Sequence, residues 1–548
     1  MTDSRSKTLQ MALILFFSFA IARFFFWQIL KSDEYKQKIL SQTYKLEKIL
    51  PQRGKIFSSD GQILATNQTY YQLSLYKPNF QNDFNEIINQ IDEYKTDFSE
   101  INSLALTRFQ LNQNQKWITL PTPFLPQEIE NINIPGVSFS SYNIRFHPDA
   151  NYTQDIIGQV SRKGEYFSGY SGIESYYDQQ LQGKTGFLRT PKDALNQAIL
   201  TKKFWQKEAI NGRNLHTYLN RQIQYLVHKT LKNGIEKYSA DSGSVIIIDP
   251  ETAGIIAMSS QVASGSATPS AFKNPAIADT FEPGSIFKPL IIAIGLDSNK
   301  ISTNYKCDKC NQPLTIGQYT ISNWDNAVYP DSNLYEIIKN SDNIAMSHII
   351  RQISTDTFLK YYSLLNLDRK TGVDLQGEGR SPQKKYWPEI DLATASFGQG
   401  IALTQIQMVS AFNALASNGK YVPPKVVDYI DDNGKIISNR NHKANQVFKK
   451  DTTEELKKIL QYGVENGVVS QFKPDNLIVC AKSGTAQIAV KGEYTDSATI
   501  ASYIGFAPCN NPKFTMIVTI NNPKTSPWGS STAAPIWFEL AGKLQYLL

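Results

Sequence analysis

The stretch Leu9 to Leu30 is almost wholly apolar. About 20 helical residues cross the hydrocarbon core of a bilayer, so this run is long enough to span one. Arg23 is its one charge and lies in the final third, where a long side chain reaches the headgroups; Trp27 suits the same level. Ala20-Ile21-Ala22 looks like the small-residue cleavage site of a signal peptide, but the apolar run resumes directly after it, which favours an uncleaved anchor. Arg5 and Lys7 before the span are compatible with a cytoplasmic N-terminus, although Lys31, Lys36 and Lys38 flank the other side. No second apolar run of this length follows. The expectation is a cytoplasmic tail over residues 1–8, a single transmembrane anchor over 9–30, and nearly the whole chain outside.

A length of 548 residues points to several domains rather than one core. Hydrophobic content of 41% with 11% aromatic residues fits folded protein and not disorder. The net charge of +7 comes from scattered Lys and Arg with no basic block, which reads as a mildly cationic solvated surface or as attraction to an anionic envelope surface. There is no finger spacing and no aromatic RNA-binding signature, so no nucleic-acid partner is expected. The cysteines are Cys307, Cys310, Cys480 and Cys509. Cys307-x-x-Cys310 can close a small disulfide loop in an oxidising compartment. Zinc would need two more ligands at suitable spacing, and Cys480 and Cys509 do not form a second pair, so no metal is expected.

Residues 31–50 read as a helix leaving the membrane, with Tyr35, Ile39, Leu40 and Tyr44 at helical intervals. Two short strands around a turn are expected at 53–56 and 60–65, and the Lys-rich stretch 184–213 reads as a linker. From about Tyr218 the pattern changes. An amphipathic helix starts at Arg221, and Gly243 to Ile248 is a buried-strand run with Ile255 to Met258 as its hairpin partner. Further strands are expected at 478–480, 503–506 and 514–520, with helices over 394–418 and the last dozen residues. Strands at both ends with helices between predict an α+β domain whose sheet is largely antiparallel.

Three polar clusters carry the chemistry. Ser285 and Lys288 lie in Phe281-Glu282-Pro283-Gly284-Ser285-Ile286-Phe287-Lys288; Ser341-Asp342-Asn343 and Lys482-Ser483-Gly484-Thr485 follow. Each alone is weak evidence, since Ser-x-x-Lys recurs at Ser4, Ser270, Ser381, Ser417 and Ser470, and Lys-Thr-Gly occurs at Lys184 and Lys370. Order and context separate them from these repeats. Pro283-Gly284 suits a turn into a helix, and residues i and i+3 share a helix face, so Lys288 Nζ can reach Ser285 Oγ. A partly buried lysine with a depressed pKa can take the serine proton, and the helix N-terminus offers N–H groups to an oxyanion. Ser341 can relay a proton to a leaving amine and Asn343 can hold a substrate amide. The third cluster follows the apolar run Leu477 to Cys480, as a strand edge beside a cleft would. There Lys482 supplies charge for a carboxylate, Ser483 and Thr485 add hydroxyls, and Gly484 lets an acyl group approach the backbone. No histidine lies near Ser285 in sequence, which weakens a Ser-His-Asp reading.

In combination these residues resemble the serine penicillin-binding proteins. Arg53-Gly54-x-Ile56 with Gly61-x-x-Leu64-Ala65 is similar to the opening motif of the class B members. Arg145-Phe146-x-Pro148, Ile157-Gly158 and Gly172-Ile173-Glu174-x-x-Tyr177-x-x-x-Leu181-x-Gly183 resemble later motifs of their pedestal domain, and Gly398-Gln399-Gly400 and Gly505-Phe506-Ala507-Pro508 resemble catalytic-domain landmarks. Two positions depart from the pattern: Ser483 stands where the family usually has Thr, and Ser58-Ser59 replace an Asp-Arg pair.

The resemblance implies a membrane-anchored α+β protein with a single N-terminal transmembrane helix. A mixed α/β pedestal would cover 31–213, and a transpeptidase domain, an antiparallel sheet flanked by helices, would cover 214–548. It implies a D,D-transpeptidase in the plasma (inner) membrane, its catalytic domain extracytoplasmic, that cross-links peptidoglycan stem peptides and binds β-lactams. By position, Ser285 would be the nucleophile and Lys288 its base, with Ser341 and Asn343 shuttling protons and binding substrate. Lys482, Ser483, Gly484 and Thr485 would hold the substrate, and the N–H groups of Ser285 and Thr485 would form the oxyanion hole. No cofactor or metal is implied. The implied partners are a membrane glycosyltransferase and other wall-synthesis proteins. Glu282 and Asn343 look more like the septal (division) type than the elongation type.

Two other classes compete. A β-lactamase or D,D-carboxypeptidase would share the motifs, but a class A β-lactamase also needs a deacylating glutamate, for which Glu378 is the nearest candidate. A non-enzymatic anchored scaffold or β-lactam sensor would need signalling mass before the span, where only about eight residues stand.

Overall fold

The structure is a computed structural model, and it describes residues 2–80, 116–130, 132–163, 166–192, 205–263, 273–382, 384–438, 444–490 and 493–548. The chain forms two compact units, one from residues 1–52 with 182–212 and one from 53–181 with 213–548.

In the first unit the apolar run is helical from Thr2 to Phe25 and continues as a wider π-turn over Phe26–Leu30. Arg5–Leu30 is long and apolar enough to cross a membrane. The Arg23 guanidinium lies 4.9 Å from the Trp27 ring centroid, so the one charge of the run is held against an aromatic face. The helix expected over 31–50 is shorter: Ser32–Thr43 is helical and Tyr44–Ile49 is a strand. That strand pairs with Gly186–Pro191, which pairs with Trp205–Lys207. Part of the expected 184–213 linker is therefore sheet. The cross-strand ladder overrides the helical spacing of the apolar residues, as long-range pairing overrides local propensity.

The second unit begins with a long strand, Ile63–Tyr76, paired antiparallel with Trp117–Phe124 and Val137–Phe146. Ile56–Phe57 joins its start and runs parallel to Asn214–Thr217, which in turn meets Val427–Asp432. One sheet thus collects segments from early, middle and late in the chain. The motif residues of this region meet in a buried ion cluster. Arg53 Nε is 2.7 Å from one oxygen of Glu174, Arg145 Nε is 2.6 Å from the other, and Arg53 Nη1 reaches Asp178 at 2.6 Å. Burial pushes the Glu174 carboxyl up, but His147, Arg145 and Arg53 outweigh it and hold the group down at about 2.

The remaining architecture is a five-stranded antiparallel sheet between two helical layers. In spatial order its strands are Ile255–Val262, Ser242–Ile248, Phe514–Asn521, Glu493–Ala507 and Cys480–Val490. Alternate residues point to opposite faces, and both faces are covered. Val245 and Ile247 pack with the helices Arg221–Lys237 and Ala533–Leu544, while Ile246 and Ile248 pack with Lys288–Asp297 and Gln405–Ala416. Lys288–Asp297 is apolar all round and buried along its length, as a central helix must be. The helical run expected over 394–418 is broken: Glu389–Ala395 and Gln405–Ala416 are separate, with Gly398 and Gly400 at positive φ between them.

Candidate active site

Ser285 sits in a tight 3-10 turn, Gly284–Phe287, and the α-helix starts at Lys288. Two glycines let this turn lie against its neighbours. Gly284 has φ +58°, and a Cβ there would stand 3.0 Å from Thr485 O. A Cβ at Gly398 would stand 2.1 Å from Gly284 O, so only glycine fits where Gly284 N–H donates to Gly398 O at 3.0 Å. The serine turn therefore rests directly on the strand that carries the third cluster.

Lys288 is completely buried. Its Nζ donates to Ser341 O at 2.6 Å, to Ser341 Oγ at 3.1 Å and to Asn343 Oδ1 at 2.7 Å. The expected reach to Ser285 Oγ is not made as a hydrogen bond; the lysine turns toward the second cluster, whose carbonyl and amide oxygens are better acceptors for an ammonium than a hydroxyl. Burial, and next the charge of Lys482, drive Lys288 well below the ordinary lysine range, while Asp342 pulls it back up.

Ser341 ends the helix Leu334–Asn340 in the left-handed conformation, φ +56°. Asp342 then caps the next helix, Asn343–Gln352, its Oδ1 accepting from Ala345 N at 3.0 Å. Ser-Asp-Asn is thus a hinge between two helices, with Ser341 and Asn343 both aimed at Lys288.

Lys482, Ser483, Gly484 and Thr485 lie near the start of Cys480–Val490, an edge strand that, among the described residues, pairs only with Glu493–Ala507. Lys482 Nζ donates to Ser483 O at 2.9 Å, and burial lowers its pKa to about 7. Thr485 Oγ1 accepts from Gly529 N at 3.0 Å, which leaves its own proton available to an incoming acceptor. The three clusters, far apart in sequence, are brought together at one end of the central helix.

Several residues around the site escaped the sequence reading. Asn323 Oδ1 accepts from Asn343 N at 2.6 Å, and Ser322 O accepts from Asn343 Nδ2 at 3.1 Å. The exposed indoles of Trp324 and Trp528 meet edge to face at 5.1 Å, one beside the second cluster and the other next to Gly529. Nothing local in the sequence marks these positions. The cysteine reading is corrected: besides Cys307–Cys310, Cys480 and Cys509 form a second disulfide, because the turn after Glu493–Ala507 returns the chain to the start of its partner strand. Glu378 is not aimed at chemistry. Its carboxylate accepts from Thr371 N and Thr371 Oγ1, both at 2.6 Å, and so closes a loop.

Comparison with known proteins identifies the family. Residues 243–541 match the family model described as penicillin binding protein transpeptidase domain, and residues 48–217 match penicillin-binding protein dimerisation domain. The peptidoglycan D,D-transpeptidase FtsI of Buchnera aphidicola is 28% identical over 98% of this chain and 94% of its own. The FtsI of Escherichia coli K12 is 25% identical over 97% and 89%. Among solved structures, penicillin binding protein 2X of Streptococcus thermophilus superposes with a TM-score of 0.76 at 19% identity, covering 92% of this chain and 80% of that one. The chain belongs to the penicillin-binding proteins, and to their class B, with a dimerisation domain ahead of the transpeptidase domain.

Proposed function

We propose that this chain is a peptidoglycan D,D-transpeptidase of the septal type that works through an acyl-enzyme on Ser285. The observation that carries the reading is Lys288: a lysine wholly buried beside the serine turn, bonded to Ser341 and Asn343 of the second cluster and pushed toward its neutral form. As the free amine, Lys288 takes the Ser285 proton while the oxygen attacks the carbonyl of the D-Ala-D-Ala amide. The N–H groups of Ser285 and Thr485 hold the oxyanion. The proton passes through Ser341 to the departing D-alanine nitrogen as the C–N bond breaks. An amino group of a second stem then attacks the ester, forms the cross-link and returns the serine. Lys482, Ser483 and Thr485 hold the donor carboxylate, Gly484 admits it close to the backbone, and Asn343 holds the stem amide.

In this reading the apolar helix is a single-pass anchor in the plasma membrane, with residues 1–8 cytoplasmic and the pedestal (31–213) and catalytic domain (214–548) outside. A membrane glycosyltransferase supplies the glycan strands, and β-lactams acylate the same serine. The engagement of Glu378 in its own loop disfavours the hydrolase alternative. Intact-protein mass spectrometry after penicillin treatment tests the proposal: wild type gains one drug mass that decays slowly, and Ser285→Ala gains none. Rapid loss of the adduct would point to a hydrolase, and an adduct on Ser285→Ala to a different nucleophile.

A further inference from the structure

We infer that Asn323 is a positioning residue for the transpeptidation site, acting on Lys288 through Asn343; this rests on the assignment of Lys288 and Asn343 proposed above. Asn323 is only 4% exposed, and both ends of its amide are engaged. Its oxygen accepts two N–H groups at the start of the helix Asn343–Gln352, from Asn343 at 2.6 Å and from Ile344 at 3.4 Å. Its nitrogen donates to Ala327 O at 2.9 Å, which closes the turn that presents it. The first turn of a helix leaves N–H groups without partners inside the helix, and Asp342 satisfies only one of them, that of Ala345. Asn323 supplies the second cap from outside the helix.

The consequence is a fixed amide at the reacting centre. Ser322, the preceding residue, accepts from Asn343 Nδ2 at 3.1 Å, so Asn343 Oδ1 is the atom turned to Lys288 Nζ, 2.7 Å away. Were Asn343 flipped, its NH2 would face an ammonium and its oxygen would face a carbonyl, two repulsions in place of two bonds. Ser322 and Asn323 together set both the place and the sense of that amide. Asn323 touches no reacting atom; it determines where the acceptor for Lys288 stands.

Acylation of the full chain in detergent micelles by labelled penicillin tests this, using Asn323→Ala, Asn323→Asp and Asn274→Ala. Asn274 is a second buried helix-capping asparagine, outside the site. The expected acylation constant falls about tenfold in Asn323→Ala, in line with loss of a helix cap at a reacting group. Asn323→Asp, whose carboxylate accepts the same two N–H groups but cannot donate to Ala327 O, recovers most of the loss and stays within about threefold of wild type. Asn274→Ala loses thermal stability and acylates normally. In Asn323→Ala the rising limb of the pH profile also moves to lower pH, because an ammonium that loses an acceptor gives up its proton more readily. The inference is overturned if Asn323→Ala acylates as wild type, if the Asp variant is no better than the Ala variant, or if Asn274→Ala slows acylation equally. Failure of the nucleophile assignment shows separately, as labelling that persists in Ser285→Ala.

Discussion

Lys288 and Lys482 are both buried lysines at one centre, and the repulsion between their two positive charges adds to the burial that already disfavours the ammonium of Lys288. The two lysines are thereby driven toward different protonation states at one pH. Such a split is what a base and a carboxylate clamp at one centre require.

A pH profile follows. In the proposed mechanism Lys288 acts as the amine, which exists above its folded pKa, so acylation is expected to rise with pH through a value below the ordinary lysine range. In the same proposal Lys482 acts as the ammonium, which is lost as pH rises through about 7. The second-order acylation constant for a penicillin carboxylate passes through a maximum and falls above that point. The corresponding penicillin ester, with no carboxylate to hold, shows a much weaker fall. Stopped-flow acylation from pH 5 to 10 checks this; a constant that climbs steadily to pH 10 for both compounds would contradict it.

Asp342 offers a way to move one limb alone. It is fully buried, caps the helix of Asn343, and its negative charge favours the ammonium of Lys288. Asp342→Asn keeps a capping oxygen and removes the charge. The rising limb then shifts to lower pH. Lys482→Ala removes a neighbouring positive charge and shifts the same limb to higher pH, on a much reduced rate. Opposite movements in the two variants are the expected outcome, and movement in the same direction would reject the electrostatic account.

The buried cluster of Arg53, Arg145 and Glu174 governs stability rather than chemistry. Removing one member of a buried pair strands the other charges, which typically costs about 3–5 kcal/mol. Glu174→Ala is expected to lower the urea-unfolding free energy at pH 7 by about that amount. Glu174 is held at about 2 in the folded chain, below its ordinary 4.5. Its stabilisation is therefore present in full above about 4.5 and is lost as pH falls through about 2. The difference between wild type and variant should shrink across that window and stay constant from pH 5 to 8.

Local pattern was enough for much of this molecule. The five-stranded sheet was visible because Ser242–Ile248 is a short apolar run ended by Asp249-Pro250, and the order of the three clusters in the chain pointed to one site. What stayed hidden depends on contacts across long sequence separations. Tyr44–Ile49 looks helical until Gly186–Pro191 pairs with it, and Asn323 looks like any turn asparagine until the helix of Asn343 docks on its oxygen. The three acceptors that hold Lys288 were hidden for the same reason: spacing places it one turn from Ser285, but only the fold brings Ser341 and Asn343 to its ammonium.

The two disulfides give the last prediction, since they close loops of very different length. Cys307 and Cys310 are 3 residues apart, Cys480 and Cys509 are 29 apart. A cross-link stabilises by limiting the unfolded chain, and the effect grows with the logarithm of the loop, giving about 2 kcal/mol for the short one and about 3–4 kcal/mol for the long one. The sites differ in what they secure as well. Cys480 stands two residues before Lys482 on the edge strand, whereas Cys307 pairs with Ser332 just ahead of the helix that ends at Ser341. The double variant Cys480→Ala/Cys509→Ala is expected to lose more stability than Cys307→Ala/Cys310→Ala and to weaken binding of the donor carboxylate. The Cys307/Cys310 variant should instead slow acylation without weakening that binding. Denaturant midpoints, with saturation and rate constants for penicillin measured separately, distinguish the two patterns, and equal losses in both variants would refute the loop-length account.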